Sequence, residues 1–226
     1  MKLNIIRRPF RYVFFNAVYW IIGINVLVFA FMYFFGDTIL FHLKLGLYEY
    51  PITFEQAMPM RPDMIVNFGW VWGFFTYMFM HGSISHLIFN MLGLFVFGIH
   101  VERRLGSKEF LLYYFVTGIL AGILSFCIYY FTGNQRIALV GASGALFAVM
   151  LAFAVYFPNY IVHIWGIIPL RAPVMVLGYT ALELIFTISG GRGNVAHMTH
   201  LAGFIFGWLY LVIRCGINPW RYLRGR

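Results

Sequence analysis

The sequence predicts an all-α membrane protein, a bundle of six transmembrane helices with one long membrane-associated first external loop. Three observations lead there. Of 226 residues, 62% are hydrophobic and only 10% charged, so too little charge is present to coat a water-soluble globule. Six apolar runs each approach the roughly 20 residues that a helix needs to cross a bilayer. The basic residues cluster beside those runs with a strong bias towards one side.

The runs follow in order. Phe14–Phe35 is the first span. Gly36–Val66, punctuated by Asp37, Lys44, Glu49, Glu55, Arg61 and Asp63, reads as a connection. Ser83–His100 is the second span and carries His86 and Asn90. Phe110–Phe131 is the third, and Ala138–Phe157, with Gly141, Ser143 and Gly144, is the fourth. Pro173–Ser189 and His197–Ile213 complete the set. The whole chain, 1–226, reads as one domain, with short cytoplasmic segments at 1–13 and 214–226. The second of these is basic and holds Trp220 and Tyr222, an interfacial anchor.

Met64–Met80 is apolar enough to be a seventh span, and charge parity decides against it. With six spans and a cytoplasmic N-terminus, twelve basic residues lie inside: Lys2, Arg7, Arg8, Arg11, Arg103, Arg104, Lys108, Arg171, Arg214, Arg221, Arg224 and Arg226. Lys44, Arg61, Arg136 and Arg192 lie outside. A seventh crossing leaves six inside and ten outside, against the positive-inside rule. The net charge of +9 is thus orientation, and no nucleic-acid partner is expected. The N-terminal run is too long for a cleavable signal. Cys127 and Cys215 fall near opposite faces, so no disulfide is expected; no metal spacing is present and no cofactor is implied.

Polar groups inside spans need a reason. Gly141-Ala142-Ser143-Gly144-Ala145 opens the fourth span. Taken alone it favours a small-residue packing face. Its other use is a nucleophilic Ser143 at a helix N-terminus, where free backbone N–H groups stabilise an oxyanion. His200, Gly203 and Gly207 fall on one helical stripe, and the glycines admit a neighbouring backbone. If that neighbour is the Gly144/Ala148 face, His200 approaches Ser143. His197, one turn earlier, reads as a polar residue at the external mouth. His86 and Asn90 share a face and both donate hydrogen bonds. His81 precedes that span and reads as a loop-ordering residue. A metal site of His81, His86 and His200 has no nearby acids to orient it and is disfavoured.

Acids are scarce. Asp37 and Asp63 both lie in the first connection, so a Ser-His-Asp triad has no aspartate to draw on. A Ser-His pair oriented by packing remains open. Glu183, the one acid in a late span, is either a third member or a partner for an interhelical donor or a water-filled crevice.

Together these features resemble the rhomboid family of intramembrane serine proteases, from Trp72 to Gly207. Trp72-x3-Thr76-x4-His81-x4-His86-x3-Asn90 resembles its loop-one and second-helix signature, and Glu102-Arg103-Arg104 its ExR motif. Gly141-Ala142-Ser143-Gly144 resembles the GxSG motif, and His200-x2-Gly203-x3-Gly207 the HxxGxxxG motif. The resemblance implies a six-helix rhomboid-like bundle. It also implies a serine endopeptidase in which Ser143 attacks the scissile carbonyl and His200 is base and then acid. The oxyanion would be held by the backbone at Ser143 and Gly144 and by the His86 and Asn90 side chains. His81 would order the first loop, and Glu102 with Arg104 would brace a helix end.

Two positions depart from the family pattern: Gly73 follows Trp72 where many members have Arg, and Phe147 stands where some bacterial members have a Tyr that stacks on the base. The implied partners are single-span transmembrane substrates and the lipid bilayer, with the oligomeric state open. The implied location is a bacterial plasma (inner) membrane with both termini cytoplasmic. The alternative is a catalytically inactive rhomboid-like module that binds membrane proteins.

Overall fold

The computed structural model describes residues 9–45, 48–164, 166–189 and 194–223. Residues 1–8 and 224–226 of the two terminal segments, and Arg192, lie outside the described residues.

The protein is mostly helical. Helix α1 runs Ala17–Phe35. A second long helix spans 84–105, built from α5 (Ile84–Gly93), a π-turn at Leu94–Gly98 and α6 (Ile99–Leu105). Helix α7 covers Ser107–Phe131. These three are the described helices long and apolar enough to cross a membrane. Two shorter apolar helices follow, α8 (Ser143–Tyr156) and α9 (Ala172–Ile188), and then α10 (Asn194–Ile213), apolar over His197–Ile213. Many large apolar side chains, such as Trp20, Leu27 and Ile188, are exposed, a surface suited to lipid. The protein is an integral membrane protein.

The connection between α1 and the second long helix differs from an all-α reading. It opens with an antiparallel hairpin, β1 (Ile39–Leu45) and β2 (Tyr48–Thr53). Part of the polar punctuation that suggests a loop is cross-strand chemistry, since Lys44 faces Glu49 and their charged ends lie 2.8 Å apart. Short helices α2 (Phe54–Ala57), α3 (Pro62–Phe68) and α4 (Gly73–Thr76) follow. Met64–Met80 is therefore not one continuous helix. Gly69, in the left-handed conformation (φ 71°), ends α3 and turns the chain. A second hairpin, β3 (Ile161–Ile164) with β4 (Ile168–Arg171), links α8 to α9, and α11 (Pro219–Leu223) closes the described chain.

Helix α8 is the centre of the fold. Every residue from Ala148 to Val155 is buried, as expected of a helix apolar on all sides. Its closest neighbour is α10. A Cβ on Gly203 would overlap the Gly144 carbonyl oxygen, and one on Gly207 would lie 3.0 Å from the Ala148 Cα. The Tyr113 hydroxyl donates to the Ala148 carbonyl at 2.6 Å, fixing α7 to the same helix.

Two buried carboxylates tie the opposite end. Glu102 accepts hydrogen bonds from the Ala17 and Val18 backbone N–H groups at 2.6 and 3.0 Å and from the Ser107 hydroxyl, so it caps α1. Arg104, expected with Glu102 at this helix end, lies over the Tyr156 ring, 5.4 Å from its centroid. Glu109 accepts from Tyr210, Arg214 and the Phe10 backbone, joining α7, the end of α10 and the chain ahead of α1. Cys127 and Cys215 are both free. Burial pushes the Cys215 thiol up to about 11, so it is protonated at neutral pH and a poor nucleophile.

Gly203→Ala should lower the thermal midpoint of the detergent-purified protein, because its methyl meets backbone that cannot yield; overpacking costs about 1–3 kcal/mol. Gly178→Ala, with nothing within 4 Å, is the matched control and should not lower it. Equal midpoints for the two variants would contradict this account of the α8–α10 contact.

Candidate active site

Ser143 is the first residue of α8, with Ala142 as its cap. The backbone N–H groups of Ser143 and Gly144 thus have no acceptor within the helix. The loop ahead of them is pinned from the first connection. Met60 and Leu139 exchange two backbone hydrogen bonds, at 3.1 and 2.9 Å, and the Gly141 N–H donates to the Tyr77 carbonyl at 2.9 Å. Tyr77 is held in turn by its hydroxyl, which donates to the Gly118 carbonyl of α7 at 2.6 Å.

Across the α8–α10 contact, His200 Nε2 lies 2.8 Å from Ser143 Oγ. The His200 ring stacks on Phe147, with centroids 4.3 Å apart and planes 7° from parallel. The aromatic contact needs only the ring face, which Phe supplies as Tyr would. The other nitrogen, Nδ1, lies 2.9 Å from Glu183 Oε1 on α9. An acid on a late span therefore lies beside the histidine, where the sequence left open both a pair oriented by packing and Glu183 as a third member. His197, read from the sequence as a polar residue at the external mouth, has a partner on α9. Its Nδ1 lies 2.5 Å from the second Glu183 oxygen, and its ring stacks on Phe186. The sequence signal was present: one acid among the late spans, and two histidines one turn apart on the next.

Gly141 has φ 121°, a conformation open to glycine, and its missing side chain makes room for His86. A Cβ there would lie 2.8 Å from both Cε1 and Nε2 of the His86 ring and 3.7 Å from Ser143 Oγ. His86 and Ser143 thus flank the same glycine. His81 lies edge-on to His86, with ring centroids 5.1 Å apart. Asn90 is buried one turn along α5 from His86, and its amide N–H₂ donates to the His86 carbonyl at 2.8 Å. One amide hydrogen is committed to its own helix and the second is left for another acceptor.

The remaining motif positions are structural in their contacts. Trp72 Nε1 donates to the Ala57 carbonyl at 2.8 Å, and its ring stacks on Trp70. Thr76 Oγ1 donates to the Met58 carbonyl at 2.5 Å. Gly73, the departure beside Trp72, lies against other backbone: a Cβ would be 3.1 Å from both the Met60 Cα and the Pro59 oxygen. Side-chain bonds from Trp72 and Thr76 fasten this segment in place of an arginine. Thr199 and Ser125, which the sequence did not single out, share a hydrogen bond of 2.7 Å and join α10 to α7.

Glu183, His197 and His200 also offer ligand atoms all within 4.8 Å of one another. A metal bound there through His200 Nδ1 would leave the ring's proton on Nε2, facing Ser143, where that nitrogen could not act as a base.

A helical membrane protein with a serine at a buried helix N-terminus, faced by a histidine, defines the class. The sequence model of the rhomboid domain matches residues 69–217, and the chain belongs to the rhomboid family. That family includes intramembrane serine proteases. Rhomboid protease AarA of Providencia stuartii is 28% identical over 191 residues, covering 74% of this chain and 68% of the relative. RHOMBOID-like protein 1 of Arabidopsis thaliana is 28% identical over 163 residues, 71% of this chain and 40% of the relative. Rhomboid-related protein 2 of Mus musculus is 30% identical over 186 residues, 76% of this chain and 55% of the relative. The chain thus spans about half the length of the plant and mouse relatives and two-thirds of the bacterial one.

Gly141→Ala should reduce labelling of Ser143 by a fluorophosphonate probe by about 10²-fold, since it displaces the His86 ring and the chain beside the serine. Labelling at the wild-type rate in a folded variant would show that this glycine does not set the site geometry.

Proposed function

We propose that the protein is an intramembrane serine endopeptidase that cleaves transmembrane-segment substrates near the external face of the membrane. The observation that carries the reading is the 2.8 Å contact between His200 Nε2 and Ser143 Oγ at the start of α8. Ser143 Oγ attacks the scissile carbonyl carbon while His200 Nε2 takes its proton. The tetrahedral oxyanion is held by the backbone N–H groups of Ser143 and Gly144, with His86 and the second amide hydrogen of Asn90 as side-chain donors. His200 returns the proton to the leaving amine, and an acyl-Ser143 ester remains. Water then attacks that ester with His200 as base, the acid product leaves, and Ser143 is restored.

The length of α8 supports the placement. Its 14 residues rise about 21 Å, less than the roughly 30 Å of a bilayer core. A helix that ends at the cytoplasmic interface therefore begins inside the membrane, and Ser143 sits below the external surface. Non-helical backbone at that depth is tolerated where protein buries it or water fills a cavity, and the pinned 139–142 segment meets that condition. The topology is six crossings with both termini cytoplasmic, in a bacterial inner membrane, and the chain acts as one domain over 1–226. Substrates are single-span proteins that reach the site from the lipid.

Reconstitution with a labelled single-span substrate tests the chemistry. Ser143→Ala and His200→Ala should each abolish cleavage with the fold retained, whereas cleavage by Ser143→Ala at the wild-type rate would refute the protease. A wild-type protein that binds the substrate and never cleaves it would be the inactive, client-binding relative instead. His86→Ala and Asn90→Ala should each slow turnover by about 10²–10³-fold with substrate binding kept; unchanged turnover in both would remove them from the oxyanion site. A reporter fused after Arg226 should read cytoplasmic, and an external reading would refute the six-crossing topology.

A further inference from the structure

Both nitrogens of His200 are engaged, and the partner on the far side from Ser143 is a carboxylate. We propose that Glu183 is a positioning residue for His200, and that His197 fixes Glu183 in turn. This rests on the protease reading and deepens it, turning a serine–histidine pair into a chain of four groups across three helices.

The argument begins with proton inventory. An ionised carboxylate only accepts hydrogen bonds, so a contact of 2.9 Å between Glu183 Oε1 and His200 Nδ1 requires the proton on Nδ1. In neutral imidazole that leaves Nε2 as the acceptor, facing the Ser143 hydroxyl at 2.8 Å. The opposite tautomer would point a hydrogen at Ser143 Oγ and could not take its proton. Packing on Phe147 fixes the plane of the ring and leaves the tautomer undecided, because both tautomers have the same shape. The carboxylate decides it.

Glu183 is itself held. Its side chain is mostly buried, and its second oxygen lies 2.5 Å from His197 Nδ1. The His197 ring rests on Phe186, one helical turn along α9 from Glu183. With one oxygen committed to each histidine, the carboxylate cannot rotate away from His200 without breaking a bond in a poorly solvated place. When His200 takes the proton of Ser143, its positive charge develops beside that anion, where a low local dielectric strengthens the attraction. His197 and His200 are one turn apart on α10 while Glu183 is on α9, so the device exists only when the two helices are packed.

The test uses the full chain reconstituted with the same labelled substrate. Glu183→Gln keeps the shape and removes the charge; kcat should fall by about 10²-fold with KM within about twofold of wild type. Glu183→Asp keeps the charge and should recover part of that loss, which a merely space-filling role would not produce. A Glu183→Gln protein with wild-type kcat, alongside an inactive Ser143→Ala, would overturn the positioning role and leave the protease reading intact. Active Ser143→Ala would overturn that reading itself.

A measurement on the wild type removes dependence on the variants folding. With ¹⁵N-histidine labelling, the resonances lost in His200→Ala identify His200, and its neutral form should carry its proton on Nδ1. A proton on Nε2 would overturn the proposal. So would a chelator that abolishes wild-type turnover with recovery on adding zinc, since that would assign Glu183, His197 and His200 to a metal ion.

Discussion

The contact between α8 and α10 governs the rest of the structure. Gly203 stands so close to the Gly144 carbonyl that no side chain fits between them, and Gly207 meets Ala148 in the same way. Lipid gives little hydrophobic reward for bringing two apolar helices together, so close backbone packing does much of that work in a membrane. One consequence is chemical. With the backbones this close, His200 needs no long reach to meet Ser143, and its ring lands flat on Phe147 one turn further along α8. Gly203 and Gly207 thus set the distance across which a proton would pass.

The buried carboxylates elsewhere answer a related constraint, that a charge in an apolar surrounding needs partners. Glu102 and Glu109 each gather several donors from chain segments distant in sequence, and they fasten the chain ahead of α1, α7 and the end of α10 into one frame. Glu183 does the same near Ser143, where its two partners are histidine rings. The three carboxylates use one physical device. In the first two places it holds helices; in the third it joins α9 to α10 beside Ser143.

Much of the helical scaffold was legible in the sequence because lipid demands it. An uninterrupted apolar run has few fates in a chain with so little charge, and α1, α7 and α9 begin and end within a few residues of the apolar runs. The β1–β2 hairpin was not legible, because alternating polar residues in a connection look the same whether they face water as a loop or pair across strands. The short helices α3 and α4 were hidden for a related reason: composition counts apolar residues but does not record a chain reversal at Gly69. The start of α8 fell five residues later than its apolar run, since the 138–142 segment spends its backbone hydrogen bonds on Met60 and Tyr77 instead of on a helix.

The sequence by itself determined the solvent, the number of apolar runs, the charge bias and the residues with chemistry to offer, because these depend on composition and on spacing along one chain. The order of motifs from Trp72 to Gly207 was also enough to point to the rhomboid family, to which the chain belongs. Only the tertiary structure decided which polar groups meet. Ser143 and His200 are far apart in sequence, and Glu183 is on a third helix. Their contacts come from interhelical distances that glycines permit and buried carboxylates secure. Spacing along a chain specifies which residues share one helix face; how near that face comes to another helix is settled by packing.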